Sequence, residues 1–479
     1  MENYPFEEKA KAIQEHFECY GQSQVFRFWN DLDGYQRSHL IRQAESIDLP
    51  KISEHIRAFL FPEQHKNTSA PDKTFSSAPY LKLPETEADQ SLWEEAYVQG
   101  EAALHAGKVA VLTIAGGQGT RLGFEGPKGT LGVTPVHRKS LFQVFAEKIR
   151  FAEKKYGHFI HWFIMTSQRN HEETIQFFKK NHSFGIQHIH FFQQGLMPAV
   201  DFHGKILLEA KDRISMQPDG SGGVFRAFVG GSFVNILQYL NVEIISLCHI
   251  DNPLVNVIDP YFIGFHIQQR SNLSFRTIPK QYPEECVGLF VLCEGRTTFV
   301  EYTDLLPEQA LACDPLGRLK LHAANAGIYI FDREFVQKLG HYDGPLPCHA
   351  AKKKVPAIDD NGNPLASTSA NGIKFEHCLP DTLALASHSL LLEGKREEIF
   401  SPIKNAHGTD SPVTCHHDQL RLFAHWLTKV GVEIPVDASG LPPFDIEISP
   451  LFADNERAFL EKWASLSQKP VIGAGTYIE

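Results

Sequence analysis

From Val109 onward, the chain alternates short apolar or β-branched runs with segments of helical period. This alternation predicts βαβ units, which fold into an α/β domain around a largely parallel sheet. The predicted strands are 109–114, 161–167, 189–195, 242–251 and 325–332, and two of the predicted helices between them are 140–157 and 170–181. Segment 286–304 departs from the alternation and predicts an antiparallel hairpin with Glu-Gly-Arg as its turn, so we expect a mixed, mainly parallel sheet.

The regions on either side of this α/β pattern are predicted to form smaller domains. Helices are expected over 35–49 and 88–108, and again over 417–431 and 454–468 near the carboxyl end. Segment 61–86 is rich in Pro, Ser and Thr, which predicts an ordered wrap or a linker and neither helix nor strand. The predicted division is a mostly helical domain with an extended wrap (1–105), an α/β domain (106–400) and a small carboxyl-terminal domain (401–479).

Charge and cysteine usage exclude several classes of function. The net charge of −11 over 479 residues argues against general binding to nucleic acid or an anionic membrane, but leaves room for a local basic pocket. None of the eight cysteines is paired at Cys-x-x-Cys spacing, so we expect neither a disulfide framework nor a zinc site. The chain shows no apolar signal core and no run of 18 apolar residues, which predicts a cytoplasmic protein.

A glycine-rich stretch follows the first predicted strand of the α/β region. Residues 115–133 hold seven glycines together with Arg121 and Lys128. Glycines after a strand let backbone N–H groups approach phosphate oxygens or the edge of a base. The dinucleotide fingerprint fails because Leu122 stands where its third glycine belongs, and the P-loop pattern fails because Gly129 follows the lysine.

Two interpretations of the stretch remain open on local chemistry. It could be a glycine-rich connector with a solvated arginine and lysine. The favoured alternative is a nucleotidyltransferase loop, in which glycine backbone meets the nucleotide while Arg121 and Lys128 neutralise pyrophosphate.

A set of collinear motifs resembles the UDP-sugar pyrophosphorylase family, most closely the UDP-N-acetylglucosamine pyrophosphorylases. The motifs are AGGQGTRLGFEGPKG (115–129), WFIMTS (162–167), FFQQGLMPA (191–199), PDGSGG (218–223), DNPLV (251–255), DPYFIGF (259–265), VEYTDL (300–305), NGIKFE (371–376) and FSPIKNA (400–406). The resemblance implies a Rossmann-like nucleotidyltransferase domain flanked by smaller domains. It also implies UTP and a sugar 1-phosphate as substrates, a UDP-sugar and pyrophosphate as products, and Mg²⁺ as cofactor.

The resemblance also implies roles for individual residues. The catalytic cations would be Arg121, Lys128 and Lys404, and the nucleotide would be contacted by Gly116, Gly117, Gln194, Gly220 and Asp251. Asp251 would hold the metal, since it follows a central strand and Mg²⁺ prefers oxygen ligands; Asp381 is a weaker candidate for a second ligand. The sugar would be contacted by Ser221, Gly288, Glu301 and Asn325.

The sugar-binding motifs are where the chain departs from the family. Ser221 stands where the N-acetylglucosamine enzymes usually have asparagine, and of the later asparagine-rich run Asn325 is kept while a neighbouring histidine and asparagine are lost. Synthesis of UDP-N-acetylglucosamine is the leading hypothesis. UDP-glucose synthesis and non-catalytic binding of a nucleotide sugar stay open, as does the oligomeric state. A nicotinamide-dependent oxidoreductase is disfavoured by the broken fingerprint.

Overall fold

A computed structural model describes residues 4–60, 74–342, 344, 347–366 and 369–479 of the chain. The described residues form two compact units. Unit 1 takes those of Met1–Lys73, Gly195–Val224 and Asp343–Thr382, and unit 2 takes those of Thr74–Gln194, Phe225–Tyr342 and Leu383–Glu479. The three-domain division expected from the sequence stays a prediction.

The strands are numbered in chain order. They are β1 (Ser76–Ser77), β2 (Val109–Ile114), β3 (Trp162–Thr166), β4 (Ile189–Gln193), β5 (Leu196–Pro198), β6 (Leu208–Ala210), β7 (Arg213–Ile214), β8 (Met216–Pro218), β9 (Ile244–His249), β10 (Leu273–Pro279), β11 (Leu289–Cys293), β12 (Arg296–Val300), β13 (Ala323–Asp332), β14 (His349–Lys353), β15 (Gly372–Glu376), β16 (Ser389–Glu393), β17 (Ile446–Ile448) and β18 (Thr476–Ile478).

The α-helices are numbered in the same way. They are α1 (Tyr4–Cys19), α2 (Gly34–Glu45), α3 (Leu49–Leu60), α4 (Glu87–His105), α5 (Leu141–Tyr156), α6 (His171–Lys180), α7 (Val224–Gly230), α8 (Phe233–Tyr239), α9 (Pro260–Gln268), α10 (Pro307–Leu311), α11 (Arg333–Gly340), α12 (Arg396–Ile399), α13 (Pro412–Lys429) and α14 (Glu456–Ser465). None of the helices in the described ranges is long and apolar enough to span a bilayer.

Unit 2 is built on a mixed sheet with the strand order β1-β11-β13-β9-β2-β3-β4. The neighbouring strands β9, β2, β3 and β4 run parallel, whereas β13 is antiparallel to β9. Strand β2 is β-branched and buried along nearly its whole length, as a strand covered on both faces must be. The α/β class is confirmed, and so are the five predicted strands and the hairpin, which is β11 paired antiparallel with β12.

The predicted helices of unit 2 also form, and their ends carry the expected capping residues. Thr86 and Asp89 make a capping box at the start of α4, and Ser140 caps α5. The residue after α5, Gly157, adopts φ 74° and ends the helix in the left-handed conformation. Ser411 caps α13, which begins with Pro412.

The expectation for segment 61–86 is wrong in one place. Residues 61–73 lie outside the described residues, but Ser76–Ser77 form the short strand β1, antiparallel to β11. Leu81 also makes a parallel bridge to Leu392. Pairing with β11 satisfies backbone groups that a Pro- and Ser-rich segment cannot satisfy by itself.

Each unit has its own apolar core. In unit 1, Phe17, Ile41 and Ile56 of the helices pack with strand residues such as Ile214 and Phe375. In unit 2, a large cluster of buried apolar side chains packs against the sheet. A separate apolar cluster joins α13 and α14 and includes four aromatic side chains: Phe423, Trp426, Phe459 and Trp463.

Helices α4 and α9 approach each other at backbone distance in unit 2. A Cβ atom on Gly264 would lie 1.7 Å from the carbonyl oxygen of Ala96, and one on Gly100 would lie 1.9 Å from that of Pro260. The two helices can therefore pack this closely only because both positions lack a side chain.

We expect Gly264→Ala to destabilise the protein by about 1–3 kcal/mol, since a methyl group forces the two helices apart. The control is Gly230→Ala, because Gly230 is exposed and a Cβ there would meet no atom within 4 Å. Thermal melts of the two variants compare them. Equal melting temperatures would contradict the close packing of α4 on α9.

Candidate active site

The carboxyl ends of four parallel strands meet at one edge of the sheet in unit 2. Ile114 at the end of β2 pairs with His249 at the end of β9 and with Met165 of β3, and Thr166 pairs with Gln193 of β4. The segments that follow these strands therefore leave the sheet side by side. This is the edge at which open α/β sheets bind ligands.

The antiparallel strands bring two more segments to the same edge. Ile328 of β13 pairs with Cys248 of β9, so the amino end of β13, with Asn325, lies at the carboxyl end of β9. Asn325 donates its backbone N–H to the carbonyl of Gly288, which precedes β11, at 2.9 Å. Two predicted sugar residues thus lie next to each other.

The glycine-rich loop after β2 is held in shape by its own backbone and by one buried amide. The N–H of Gly119 donates to the carbonyl of Gly126 at 3.0 Å, and the N–H of Lys128 donates to that of Gly117 at 3.1 Å. The Nδ2 of Asn170 donates to the carbonyls of Ala115 (2.9 Å) and Gly117 (3.3 Å). Asn170 is fully buried, and sequence reasoning missed it.

Lys128 connects this loop to two distant segments. Its Nζ lies 3.5 Å from Oδ2 of Asp251 and donates to the carbonyl of Ile403 at 3.1 Å. The N–H of Ile403 in turn donates to the carbonyl of Asp251 at 2.9 Å. The predicted cation, the predicted metal ligand and the segment that carries Lys404 therefore share one small network.

Lys404 lies beside a carboxylate that the sequence did not indicate. Its Nζ is 3.4 Å from Oδ2 of Asp410, and its backbone N–H donates to the carbonyl of the same residue at 2.7 Å. Both side chains are about a third exposed or more, so the lysine is available to a ligand that enters from solvent.

Asn252 and Lys148 fix the loop that follows Asp251, and neither was found from the sequence. The Nδ2 of Asn252 donates to the carbonyl of Ile399 at 2.6 Å, which ties the loop to the segment leading to Lys404. The buried Nζ of Lys148 donates to the carbonyls of Pro253 (2.7 Å) and Val255 (2.6 Å). Burial lowers the pKa of Lys148 to about 8.

The sheet edge opens into a cavity of about 230 Å³. Five predicted site residues line it together with a histidine that was not predicted: Asp251, Gly288, Glu301, Asn325, Lys404 and His249. A Cβ atom on Gly288 would lie 3.5 Å from Oε2 of Glu301, so these two predicted sugar residues are neighbours. The cavity has room for one small polar group such as a sugar.

The pKa of His249 depends on its burial and on three charged groups around it. Burial is the main cause of its lowered pKa, Lys404 and Lys128 lower it further, and Asp251 raises it. The imidazole is therefore neutral near pH 7 and can accept or donate one hydrogen bond. One sequence signal could have found it, because it stands two positions before Asp251, and alternate residues of a strand share a face.

The remaining predicted site residues of unit 2 differ in their contacts. A Cβ atom on Gly116 would lie 2.4 Å from Oε1 of Gln194, so these two predicted residues are in contact range. A Cβ on Gly117 would meet no atom within 4 Å. Arg121 is exposed, and its side chain makes no hydrogen bond or ion pair with the residues that the structure describes.

Gly220, Ser221 and Asp381 belong to unit 1, so their predicted roles stay predictions. Gly220 adopts φ 91°, and a Cβ there would lie 2.4 Å from the carbonyl oxygen of His377, so only glycine fits. The Oγ of Ser221 accepts the N–H of Leu379 at 3.0 Å. Oδ2 of Asp381 already pairs with Nε2 of His349 at 2.9 Å.

The chain resembles known proteins over most of its length. The family model for UTP--glucose-1-phosphate uridylyltransferase matches residues 65–409. The chain is 34% identical to the UDP-N-acetylhexosamine pyrophosphorylase-like protein 1 of Homo sapiens, with 90% of each chain covered. It is 33% identical to UDP-N-acetylglucosamine diphosphorylase 2 of Arabidopsis thaliana, over 92% of this chain and 89% of the relative.

A solved structure extends the likeness to the fold. The uridine diphosphate N-acetylglucosamine pyrophosphorylase of Trypanosoma brucei, crystallised with an inhibitor, superposes with a TM-score of 0.78 at 26% identity over 98% of both chains. The resemblance drawn from the motifs is thereby confirmed. The chain belongs to the UTP--glucose-1-phosphate uridylyltransferase family, whose members are nucleotidyltransferases.

Proposed function

We propose that the protein makes UDP-N-acetylglucosamine and pyrophosphate from UTP and N-acetylglucosamine 1-phosphate in the cytoplasm. An oxygen of the sugar phosphate attacks the α-phosphorus of UTP in line. The bond between that phosphorus and the oxygen that bridges to the β-phosphate breaks, and pyrophosphate leaves with the electron pair. Such a transfer depends mainly on positioning and on neutralising charge.

The convergence of cations at the sheet edge carries this proposal. Lys128 comes from the glycine-rich loop and Lys404 from a segment far along the chain, yet the Lys128 ammonium donates to the residue directly before Lys404. Two phosphate-bearing anions repel each other, so an enzyme that joins them needs positive charge from both sides. A glycine-rich connector with solvated basic residues has no reason to be tied to that segment.

Each cation would bind a different phosphate group, according to the shape of its side chain. The planar guanidinium of Arg121 can contact two phosphate oxygens of the leaving pyrophosphate at once. Lys128 is a compact charge that can follow the α-phosphate, and Lys404 would hold the sugar phosphate. Gly116 and Gly117 offer backbone groups to the nucleotide, and the amide of Gln194 both donates and accepts, as a uracil edge requires.

Asp251 fits the role of a magnesium ligand. It is a half-buried carboxylate at the end of a central strand, and it lines the cavity beside the cations. Oxygen is the donor that Mg²⁺ prefers, and one carboxylate together with nucleotide phosphates suffices to hold it. When bound, the ion would offset the negative charge of the phosphates.

Glucose 1-phosphate is a second candidate sugar because of the environment of Asn325. Its Nδ2 donates to the hydroxyl of Tyr329 at 3.0 Å and its Oδ1 accepts the N–H of Gly327 at 3.0 Å. Both ends of the amide are thus engaged within the chain, which weakens the case that it selects an acetamido group. A site built for one polar group rejects analogues strongly, so the preference can be measured.

A substrate panel tests the proposed function. UTP and other triphosphates are crossed with the 1-phosphates of N-acetylglucosamine, N-acetylgalactosamine and glucose, and pyrophosphate release is followed with Mg²⁺ present. We expect the highest kcat/KM for UTP with N-acetylglucosamine 1-phosphate. Faster turnover of glucose 1-phosphate would select the second candidate, and binding of UTP without any turnover would contradict catalysis.

Removing either basic group of the glycine-rich loop should slow the transfer. We expect Arg121→Ala and Lys128→Ala to lower kcat at least about a hundredfold, equivalent to about 3 kcal/mol of transition-state stabilisation. Lys179→Ala, which removes an exposed lysine on α6, serves as the control and should leave the rate unchanged. Near-normal rates in both loop variants would refute these assignments.

Asp251→Asn tests the metal site. The amide keeps the shape of the side chain but loses its charge, so we expect the Mg²⁺ concentration for half-maximal rate to rise at least about tenfold. Asp360→Asn, at a carboxylate that is 92% exposed in unit 1, is the matched control. An unchanged magnesium titration in the Asp251 variant would remove this residue from the metal site.

A further inference from the structure

Three metal-ligating side chains from separate segments meet in unit 1. We call His55, Cys348 and His377 the His–Cys–His cluster; their ligand atoms all lie within 4.8 Å of one another. His55 lies on α3, Cys348 directly precedes β14, and His377 directly follows β15. Because His349 pairs with Glu376 in the antiparallel β14–β15 ladder, Cys348 and His377 come together at the same end of that hairpin.

His55 has a buried nitrogen that nothing satisfies. The residue is 8% exposed, and its Nε2 is buried without a hydrogen-bond partner in the part of the chain that the structure describes. Leaving a buried polar atom unpaired destabilises a fold, so such an atom calls for an explanation. Burial, with a smaller effect of His377, lowers the pKa of His55, which favours the neutral imidazole that binds metals.

One ring nitrogen of His377 is held by a backbone carbonyl. Its Nδ1 lies 3.0 Å from the carbonyl oxygen of Pro347, which can only accept, so the proton sits on Nδ1 and the lone pair on Nε2. A backbone carbonyl bound to the second ring nitrogen is the typical outer partner of a ligating histidine. The rings of His55 and His377 meet edge to face, with their centroids 5.7 Å apart.

The chemical types of the three ligands indicate which metal they would bind. One thiolate and two imidazoles suit Zn²⁺, whose bonds of about 2.0–2.3 Å place tetrahedral ligands about 3.3–3.8 Å apart. Two ligand atoms at the 4.8 Å limit would therefore have to move about 1.0–1.5 Å closer together to bind the ion. Three protein ligands leave a fourth position for water. Burial raises the pKa of the Cys348 thiol to about 12, so the metal must displace its proton.

A second group of possible ligands lies beside the first and is less suited to a metal. His349, Cys378 and Asp381 also come within 4.8 Å of one another. However, Oδ2 of Asp381 pairs with Nε2 of His349 at 2.9 Å and accepts the N–H of Cys378 at 3.2 Å. These groups already satisfy each other, whereas Nε2 of His55 has no hydrogen-bond partner among the described residues.

We propose that the His–Cys–His cluster binds a Zn²⁺ ion that fastens α3 to the end of the β14–β15 hairpin. The ion would also stiffen the loop 219–223. The N–H of His377 donates to the carbonyl of Asp219, and its carbonyl accepts the N–H of Gly222, both at 2.8 Å. This loop contains Gly220 and Ser221, so any effect on turnover rests on the proposed function, while metal binding itself does not.

To test the proposal, the full chain is first treated with a chelator and then titrated with Co²⁺. We expect one equivalent to bind with the visible absorption of tetrahedral cobalt and a thiolate charge-transfer band, and Zn²⁺ to abolish both signals. Cys348→Ser should lose the charge-transfer band and bind at least about a hundredfold more weakly. Cys378→Ser is the matched control, since it removes a thiol from the neighbouring group, and it should keep the band.

Folding of the variants is checked by a second measurement. Zn²⁺ should raise the melting temperature of the unaltered protein and of Cys378→Ser, but not that of Cys348→Ser or of the half-buried His377→Gln. The proposal is overturned if the unaltered protein gives no thiolate band. It is also overturned if Cys348→Ser keeps the band, or if Cys378→Ser alone loses it. Cobalt binding without uridylyltransferase activity would contradict the proposed function and leave the metal site standing.

Discussion

The register between β2 and β9 is the constraint from which the candidate active site follows. Ile114 and His249 end their strands side by side, so the glycine-rich loop and Asp251 leave the sheet at the same level. Parallel strands must be joined by long crossovers, and these crossovers supply the helices that cover the sheet. Side chains from distant segments therefore meet at the carboxyl edge of the sheet. They lie in loops, whose sequence can vary without changing the core.

In the proposed reaction, the charged side chains at this edge would meet an anionic ligand. Lys128 has Asp251 nearby and Lys404 has Asp410, so each cation is partly neutralised by a carboxylate. The distances of 3.5 and 3.4 Å are longer than those of a tight ion pair, which leaves the lysines able to turn toward phosphate oxygens. Lys148 and Asn252 hold the backbone around Asp251 by bonds to carbonyls, so the carboxylate can be positioned without extra charge in the cavity.

Much of the fold could be predicted because periodicity is a local property. The apolar run of β2 predicts a strand, and the amphipathic pattern of α5 predicts a helix. The hairpin β11–β12 is predicted by its turn residues. Strand β1 could not be predicted, since Ser76 and Ser77 are extended only because β11 offers an open edge. The same holds for Asn170 and Lys148, whose roles depend on carbonyls that become neighbours only after folding.

By itself, the sequence determined the α/β class and membership of the family, because each rests on residues close together in the chain or on motifs in fixed order. Tertiary structure decided which of the candidate residues share a cavity, and it added His249 to them. It also brought His55 to Cys348 and His377, where spacing alone had argued against a zinc site. The physical reason is that ligand atoms and charges act over a few ångströms in space, and separation along the chain does not measure that distance.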